Sequence, residues 1–308
     1  MSSMLRALAV IGACGILGIT LCGCPVQPTY PATITPIYAA TGSGSLLVYN
    51  GSSWTAHAAG VGSLTSVAVS GSGSGAVAFV GGSGGVAELN GATWTSISGT
   101  GAVNALLIGS SLYAATSSGV SVLNADGTTW TSDPTAGPSN AIFTIGPFTY
   151  VASNSGLWEF NGTGVVGSPG PTVPLAHVVA GSAKVTAVIV DSALDVFAGT
   201  DQGLAIGTGS PLSFGTNQLP PNTPVNGLAF DSNGNYYAAT AAGLYINGTI
   251  AVGLSGPVLC VCVDGAGTIY VGTPTGLQVS ADGGRTWTVK LSGYQVNAVA
   301  VTAPLYSF

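Results

Sequence analysis

Side chains that could carry out acid–base or metal chemistry are scarce in this chain of 308 residues, which has two histidines, ten acids and four fixed cations. A glycosidase needs two facing carboxylates, and a general acid or base must lie within hydrogen-bond reach of its target. His57 and His177 lie in unrelated segments with no acidic motif beside them, so we interpret both as loop residues. Most acids occupy positions where turns are expected, and a carboxylate there caps the turn. The ten acids are Glu88, Asp126, Asp133, Glu159, Asp191, Asp195, Asp201, Asp231, Asp264 and Asp282.

Candidate ligands for a metal or cofactor are equally few. The D-x-D-x-D spacing of a calcium loop does not occur, and each Gly cluster belongs to a turn or linker rather than to a phosphate loop. Cys260 and Cys262 alternate along a strand-like run and so point to one face. Two thiols alone make a poor zinc site, and an i, i+2 pair has the wrong separation for a disulfide. The sequence predicts no metal, no cofactor, and packing roles for both thiols.

The charge balance excludes polyanionic partners. The fixed cations are Arg6, Lys184, Arg285 and Lys290, and the formal net charge is −6. Binding to nucleic acid or to anionic lipid requires several Lys or Arg side chains. Because ionisable groups are so few, the surface charge changes little between neutral and acid pH. We therefore expect no nucleic-acid partner, and we expect the protein to tolerate an acidic exterior.

Residues 1–23 have the form of an export signal. Arg6 precedes an apolar stretch over residues 7–21, and Leu21-Cys22-Gly23-Cys24 follows. This segment resembles a bacterial lipoprotein signal, which implies that Cys24 is lipidated and that residues 25–36 form a short tether to the membrane. Cys14 also follows a small residue, but the apolar run before it is short. An uncleaved membrane anchor is the alternative, because the apolar stretch with its flanks approaches spanning length.

A short phrase recurs along the rest of the chain, with an aromatic or aliphatic pair, small residues, Thr, two spacers and Gly. Its first and last tyrosines, Tyr38 and Tyr270, are six periods apart, which gives a period of roughly 39 residues. A unit of this length cannot bury its own apolar face and must pack against its neighbours. The seven copies are IYAATGSG (37–44), VAFVGGSGG (77–85), LYAATSSG (112–119), TYVASNSG (149–156), VFAGTDQG (196–203), YYAATAAG (236–243) and IYVGTPTG (269–276).

Each unit contains three or four short runs with β character, which predicts an all-β, seven-bladed β-propeller over residues 37–308 with four-stranded antiparallel blades. The final alternating run, residues 296–301, is an innermost-type strand without its partners, whereas the first unit lacks that strand. We expect the two chain ends to complete one blade together and so to remove an exposed edge. Residues 305–308 resemble an eighth aromatic strand, so eight blades are the alternative. The predicted innermost strands are 64–69, 103–108, 140–145, 185–190, 225–230, 258–263 and 296–301.

Turn signals punctuate these strands. The Gly of each Thr-x-x-Gly step is expected to have a positive φ in a tight hairpin. Asn-Gly or Asp-Gly follows the third strand, as at Asn50, Asn90 and Asp282, and this dipeptide strongly favours a hairpin. A short outer strand often begins with Trp, as at Trp54 and Trp130.

One hairpin carries a resemblance to a named motif. Ser280, Asp282, Gly284, Thr286 and Trp287 resemble the S-x-D-x-G-x-T-W Asp-box of sialidase-type propellers, and residues 124–130 resemble a degraded copy. The turn that begins at Asp231 is similar to those of NHL-type and sensor-type propellers. The resemblance implies a structural hairpin in which Asp caps the turn and Trp packs between strands. Sialidase activity is not expected, because it needs an arginine cluster and only Arg285 remains after signal removal.

The sequence thus favours a non-catalytic, monomeric lipoprotein that is exported and faces the periplasm or the cell exterior. Its propeller would bind a protein or glycan partner, since propellers host many functions. A sensory or assembly-factor propeller differs from this only in its partner. The alternative is a lyase or glycan hydrolase that uses His177 and acids at the ring mouth. These groups would then have to converge within about 10 Å.

Overall fold

Short apolar runs that end at Gly, Asn or Asp turns make this chain a β protein. The computed structural model describes residues 36–71, 75–161, 184–209, 212–215 and 218–301. These ranges contain 27 strands and no α-helix. Within them there is accordingly no helix with the length and apolarity needed to cross a bilayer. Cys24, His177 and residues 305–308 lie outside the described residues.

The strands form seven sheets, which we call blades 1 to 7. The strands of blades 1 to 3 are β1 (Ile37–Thr41), β2 (Ser45–Tyr49) and β3 (Trp54–Ala58); β4 (Leu64–Ser70), β5 (Val77–Gly82), β6 (Gly85–Asn90) and β7 (Thr93–Ile97); and β8 (Val103–Ile108), β9 (Leu112–Thr116), β10 (Gly119–Leu123) and β11 (Trp130–Asp133). Those of blades 4 and 5 are β12 (Ser139–Ile145), β13 (Phe148–Ser153) and β14 (Gly156–Asn161); and β15 (Val185–Val190), β16 (Val196–Thr200), β17 (Leu204–Thr208) and β18 (Ser213–Phe214). Those of blades 6 and 7 are β19 (Val225–Phe230), β20 (Tyr236–Thr240), β21 (Gly243–Ile246) and β22 (Thr249–Ile250); and β23 (Cys260–Val263), β24 (Ile269–Thr273), β25 (Gly276–Ser280) and β26 (Thr288–Ser292). The last strand, β27 (Val296–Val301), belongs to blade 1.

The seven-bladed ring predicted from the repeats is confirmed, and the eight-bladed alternative is wrong. Six blades show four antiparallel strands, and blade 4 shows three because the chain beyond β14 enters the range 162–183, which the structure does not describe. The predicted closure is also confirmed, since β27 pairs antiparallel with β1. In this pairing Ile37 lies opposite Val301, and Ala39 lies opposite Val299. The first and last described strands therefore share one blade.

The hydrophobic core lies between blades rather than within them. Seven buried clusters occur, one at each joint between neighbouring blades. At the closing joint, Ala39 and Leu47 of blade 1 pack with Tyr270 and Leu277 of blade 7. Burial of a leucine side chain stabilises a fold by about 2 kcal/mol, so packing across this joint adds to the backbone pairing of β27 with β1 inside blade 1.

Antiparallel blades give the ring two different faces. The turns between the first and second strands, counted from the axis, and those between the third and fourth strands lie at one face. We call it the Asp face, because Asp191, Asp231 and Asp264 each begin one of its turns. The other face, here the connector face, holds the Thr-x-x-Gly turns and the blade-to-blade connections. These are hydrogen bonded to each other, for example from the Val258 N–H to the Thr240 carbonyl at 2.9 Å.

Candidate functional site

The turns at the inner edge of the Asp face are built around buried carboxylates. In blade 6, Asp231 Oδ1 accepts hydrogen bonds from the backbone N–H groups of Asn233 and Asn235, each at 2.9 Å. Its Oδ2 accepts from the Asn235 amide at 2.7 Å and from the Tyr237 hydroxyl at 3.0 Å. Burial opposes the ionisation of Asp231, but the hydrogen bonds outweigh it and lower the pKa. Blade 7 repeats the arrangement with Asp264 as acceptor and Ala266, Thr268 and Tyr270 as donors.

The Asp-box-like segment forms the turn between β25 and β26. Asp282 accepts hydrogen bonds from the Ser280 hydroxyl at 2.8 Å and from the Arg285 N–H at 3.0 Å. It also accepts from the N–H and the hydroxyl of Thr286, at 2.9 and 2.6 Å. The Gly284 N–H donates to Ser280 Oγ at 2.9 Å. The Thr286 hydroxyl and N–H, followed by the other donors, hold the pKa of Asp282 well below its usual range.

Tryptophans tie the outer rim of one blade to the next. The Trp287 Nε1–H donates to the Val252 carbonyl of blade 6 at 3.1 Å, and the Trp54 Nε1–H donates to the Lys290 carbonyl of blade 7 at 2.9 Å. Trp130 packs against blade 2, where its buried Nε1–H has no hydrogen-bond partner among the described residues. The outer-strand tryptophans thus join blades, although not by one uniform contact.

The structure does not bring His57 to the axis of the ring. This side chain lies on β3, the outermost strand of blade 1, and is partly buried, so the interpretation of His57 as a loop residue is wrong. His177 is outside the described residues. Glu159 lies opposite Tyr150, where burial, followed by the Glu159 charge, raises the pKa of Tyr150 to about 12. Across the described ranges, no three His, Cys, Asp or Glu side chains are placed to hold a metal ion.

A feature that sequence reasoning missed is the role of the Thr in the Thr-x-x-Gly turns. The buried Thr240 hydroxyl donates to the Gly243 carbonyl at 2.7 Å and accepts from the Ala242 N–H at 3.1 Å. Hydroxyls in blades 3, 4, 5 and 7 donate in the same way to the Gly carbonyl three residues on, at Thr116, Ser153, Thr200 and Thr273. The recurrence of Thr in the repeated phrase was the sequence signal from which this role could have been predicted. Each hydroxyl satisfies backbone groups that the turn would otherwise leave unpaired.

The explanation predicted for the Gly of this step is only partly right. Six of the seven glycines have a positive φ, from +87° at Gly44 to +150° at Gly203, but Gly276 does not. A Cβ atom at Gly276 would instead lie 2.0 Å from the Leu291 carbonyl oxygen, and one at Gly119 would lie 2.2 Å from the Asp133 oxygen. Close approach of the chain at the fourth strand therefore selects Gly at Gly119 and Gly276, whereas at Gly85 and Gly243 a Cβ would meet its nearest neighbour only at 3.4 Å and the backbone angle selects Gly.

A second missed feature is a set of clasps around the central channel. In six blades the second residue of the innermost strand is Asn or Thr. Its side chain donates to a backbone carbonyl at, or just before, the start of the next innermost strand. Asn226, for example, donates to the Val258 carbonyl at 2.8 Å, and Asn297 closes the ring by donating to the Leu64 carbonyl at 2.7 Å. The remaining clasps run from Thr65 to Val103, Asn104 to Ser139, Asn140 to Val185 and Thr186 to Val225. Each lies at the connector-face end of the channel.

The seventh joint, between blades 7 and 1, is built differently. Leu259 occupies the clasp position, and the Cys260 thiol approaches the Val296 carbonyl at 3.9 Å. Cys260 and Cys262 are free thiols, partly buried against the cluster that joins blades 7 and 1. Burial raises the pKa of both thiols to about 12, which disfavours the thiolate at neutral pH.

Charge is distributed unequally between the two faces. The turns of the Asp face carry six aspartates and one cation, Arg285, within the described residues. The connector face carries Asp133, Asp201 and Lys184, so its formal charges nearly cancel. The amides and hydroxyls of the clasps at this end of the channel are uncharged and donate to backbone carbonyls. The described ring therefore presents one acidic face and one face whose formal charges nearly cancel. The six aspartates are Asp126, Asp191, Asp195, Asp231, Asp264 and Asp282.

Comparison with known proteins finds similar rings in several different kinds of propeller protein. No protein-family model and no curated protein matches the sequence. Among solved structures, the WD40 beta propeller domain of Doa1 aligns with a TM-score of 0.61 at 13% identity, over 77% of this chain and 85% of that one. PorZ, a surface component of the type-IX secretion system of Porphyromonas gingivalis, aligns with a TM-score of 0.55 at 15% identity, over 92% of this chain and 59% of that one.

Sensor proteins provide further matches. The extracellular domain of a protein described as a hybrid two component system from B. thetaiotaomicron aligns with a TM-score of 0.58 at 16% identity, over 82% of this chain and 39% of that one. A second such domain aligns with a TM-score of 0.59 at 12% identity, over 76% of this chain and 36% of that one. The chain thus spans little more than a third of these extracellular domains. At such identities the likeness shows a shared fold, and the fold is that of a seven-bladed β-propeller.

Proposed function

We propose that this chain is a non-catalytic propeller scaffold of a bacterial cell envelope, held at the membrane by an acyl group on Cys24 and binding a protein or glycan partner. One observation carries the non-catalytic part: the aspartates with the most hydrogen bonds are saturated by their own turns. Asp231 and Asp282 each accept four hydrogen bonds within one hairpin. Asp126 and Asp264 each accept three. Carboxylates used in this way serve the fold rather than a substrate.

The contacts of the segment from Ser280 to Trp287 support its assignment as a structural Asp-box. Asp282 caps the turn, and Trp287 reaches the neighbouring blade. The structural neighbours that are extracellular sensor domains and a secretion-system surface component support an exported interaction scaffold. The signal-like residues 1–23 and Cys24 support the anchor.

The anchor is tested by growing a bacterium that expresses the full chain with an alkyne-bearing fatty acid. The label should attach to the wild-type protein and not to Cys24→Ser, and only the wild type should sediment with membranes. Labelling that persists in Cys24→Ser would move the site to another cysteine. An unprocessed chain in the membrane would favour the uncleaved anchor.

The binding role is tested with the acylated protein on vesicles as bait, against envelope proteins in one arm and purified envelope glycans in the other. The scaffold is supported if a partner in one arm binds saturably and is displaced by an excess of the folded, unlabelled protein. The arm in which this happens identifies the partner class. Turnover of a glycan, abolished in His177→Ala, would contradict the proposal and establish the enzyme alternative.

A further inference from the structure

Asn-Gly pairs form turns well, but they are also chemically reactive, and asparagine is among the thermolabile residues. The backbone nitrogen of the Gly can attack the side-chain amide carbon of the Asn, which closes a five-membered succinimide ring and releases ammonia. Glycine permits this attack because it has no side chain to shield its nitrogen. Within the described residues, such pairs begin at Asn50, Asn90, Asn226, Asn233 and Asn247.

At Asn247 and Asn226 the reactive amide is tied to another part of the chain. The Asn247 Nδ2–H donates to Asn235 Oδ1 at 2.7 Å, and Asn247 Oδ1 accepts from the Tyr236 N–H at 3.0 Å. The Asn226 amide donates to the Val258 carbonyl of the next blade at 2.8 Å. Each side chain must leave these partners before its amide carbon can meet the following nitrogen. Both sites are therefore protected in the folded protein.

Two further pairs are restrained within their own turns. Asn50 Oδ1 accepts three hydrogen bonds from the backbone and side chains of residues 52–53, at 2.9 to 3.0 Å. At Asn233 the restraint is on the attacking nitrogen, because the Gly234 N–H donates to the Asp231 carbonyl at 3.2 Å. Each of these pairs thus keeps one of its two reacting groups hydrogen bonded.

Asn90, at the tip of the outer hairpin of blade 2, has neither restraint. Its side chain is exposed, and among the described residues neither its amide nor the Gly91 N–H has a hydrogen-bond partner. Gly91 and Ala92 form a two-residue turn between β6 and β7, in which Asn90 lies opposite Thr93 and Gly91 has a φ of +62°. A Cβ placed at Gly91 would have no atom within 4 Å beyond its chain neighbours. Water and base therefore reach both reacting groups.

We propose that Asn90 is a site of spontaneous deamidation, at which this turn acquires a carboxylate as the protein ages. The Gly91 nitrogen loses its proton to solvent base and bonds to Asn90 Cγ, the bond from Cγ to Nδ2 breaks, and ammonia leaves. One water molecule then opens the ring by breaking one of its two C–N bonds, which gives aspartate or isoaspartate. Either product adds one negative charge to the Asp face. Isoaspartate also lengthens the backbone by one carbon atom, so the register of Asn90 with Thr93 cannot be kept.

Mass spectrometry of each Asn-Gly pair tests the proposal. Purified full-length protein is incubated at mildly alkaline pH, both folded and in urea, and its peptides are compared for aspartyl and isoaspartyl products. In the folded protein Asn90 should convert about 30-fold faster than Asn247, which must first break two hydrogen bonds. In urea the two sites should convert at similar rates, because the hydrogen bonds are gone. Equal rates in the folded protein, or a faster rate at any other described pair, would overturn the proposal.

Two variants separate the location from the cause. Asn90→Gln keeps the amide but lengthens the side chain, which disfavours ring closure, so the acidic species that isoelectric focusing detects in aged wild-type protein should be lost or greatly reduced. Asn235→Ala removes the acceptor of the Asn247 amide and should speed conversion at Asn247 about fivefold while leaving Asn90 unchanged. Acidic species that accumulate equally in Asn90→Gln would overturn the site. An unchanged rate at Asn247 in Asn235→Ala would overturn hydrogen bonding as its cause.

Discussion

At the scale of single residues, one buried hydroxyl pairs with backbone groups of the Thr-x-x-Gly turn and so stabilises it. Thr240 is fully buried, and its hydroxyl satisfies a donor and an acceptor of the turn backbone. Ser153 performs the same task in blade 4. Blade 2 has Gly82 at this position, and a Cβ there would lie 2.5 Å from the Val61 carbonyl oxygen. In blade 2, where the connection between blades passes close to the turn, the turn forms without this hydroxyl.

Thr240→Val tests this role because valine has nearly the same shape but no hydroxyl. The substitution leaves the Gly243 carbonyl and the Ala242 N–H without their partner, and an unsatisfied buried polar group costs about 1–3 kcal/mol. We expect a loss of about 2 kcal/mol in the free energy of unfolding, measured by urea denaturation. Thr240→Ser keeps the hydroxyl and should lose much less. Equal losses in the two variants would show that the methyl group, not the hydroxyl, matters.

At the scale of elements, the sequence predicts the strands well and the contacts between blades poorly. The seven innermost strands and the closing pair follow from a period that can be counted along the chain. The clasp at Asn226 could not be predicted in the same way, because its acceptor is Val258, 32 residues away in the next blade. Recurrence marks the position, but only the curvature of the ring decides which carbonyl the amide meets. The exposed turn capped by Asp282 was predictable, since the four hydrogen bonds that Asp282 accepts all come from residues of the same hairpin.

If the clasps stabilise the joints between blades, removing one of them should lower the free energy of unfolding. Asn226→Ala removes the amide that donates to Val258 and should lower the free energy of unfolding by about 1 kcal/mol, which corresponds to about 2–4 °C in Tm for a domain of this size. Asn233→Ala is the matched control in the same blade, since Asn233 is exposed and contributes its backbone N–H to the Asp231 turn. Calorimetry compares the two variants. A Tm for Asn226→Ala equal to that of the control would mean that the clasp contributes nothing.

At the scale of the whole molecule, closure makes the two ends of the chain one structural unit. A chain that ends at Gln295 lacks β27, so β1 loses the partner of Ile37–Thr41 and the Leu64 carbonyl loses Asn297. We expect this variant to lose its single cooperative thermal transition. A chain that ends at Val301 controls for the residues after the strand, and Asn297→Ala should cost only about 1 kcal/mol. A sharp transition at the wild-type Tm in the shortest chain would contradict closure as the source of cooperativity.

The dependence of stability on pH in the acid range follows from the turns that Asp side chains cap. The Thr129 hydroxyl, then backbone N–H groups, lower the pKa of Asp126 to about 2, and the Thr286 contacts lower that of Asp282. A carboxyl whose pKa is depressed by folding contributes stability fully above its unfolded pKa, about 3.9. That contribution is lost as the pH falls through the folded value. We expect Tm to stay nearly constant from pH 7 to pH 4, measured by circular dichroism at fixed ionic strength. A steep fall between pH 6 and pH 4 would contradict this.

In the alkaline range the protein should lose stability as the pH rises, rather than as it falls. Burial raises the pKa of Cys260 and Cys262 to about 12, and burial with Glu159 raises that of Tyr150 to about 12. Their neutral forms are favoured by folding, so their contribution is complete below the unfolded values of about 8.5 and 10 and is lost as the pH rises toward 12. We expect Tm to decline from about pH 9 upward. Cys260→Ala with Cys262→Ala removes the first groups to ionise in the unfolded chain, so the decline should begin near pH 10 in that variant. If the decline in Tm begins at the same pH in this variant as in the wild type, the loss of stability at alkaline pH is due to the tyrosines alone.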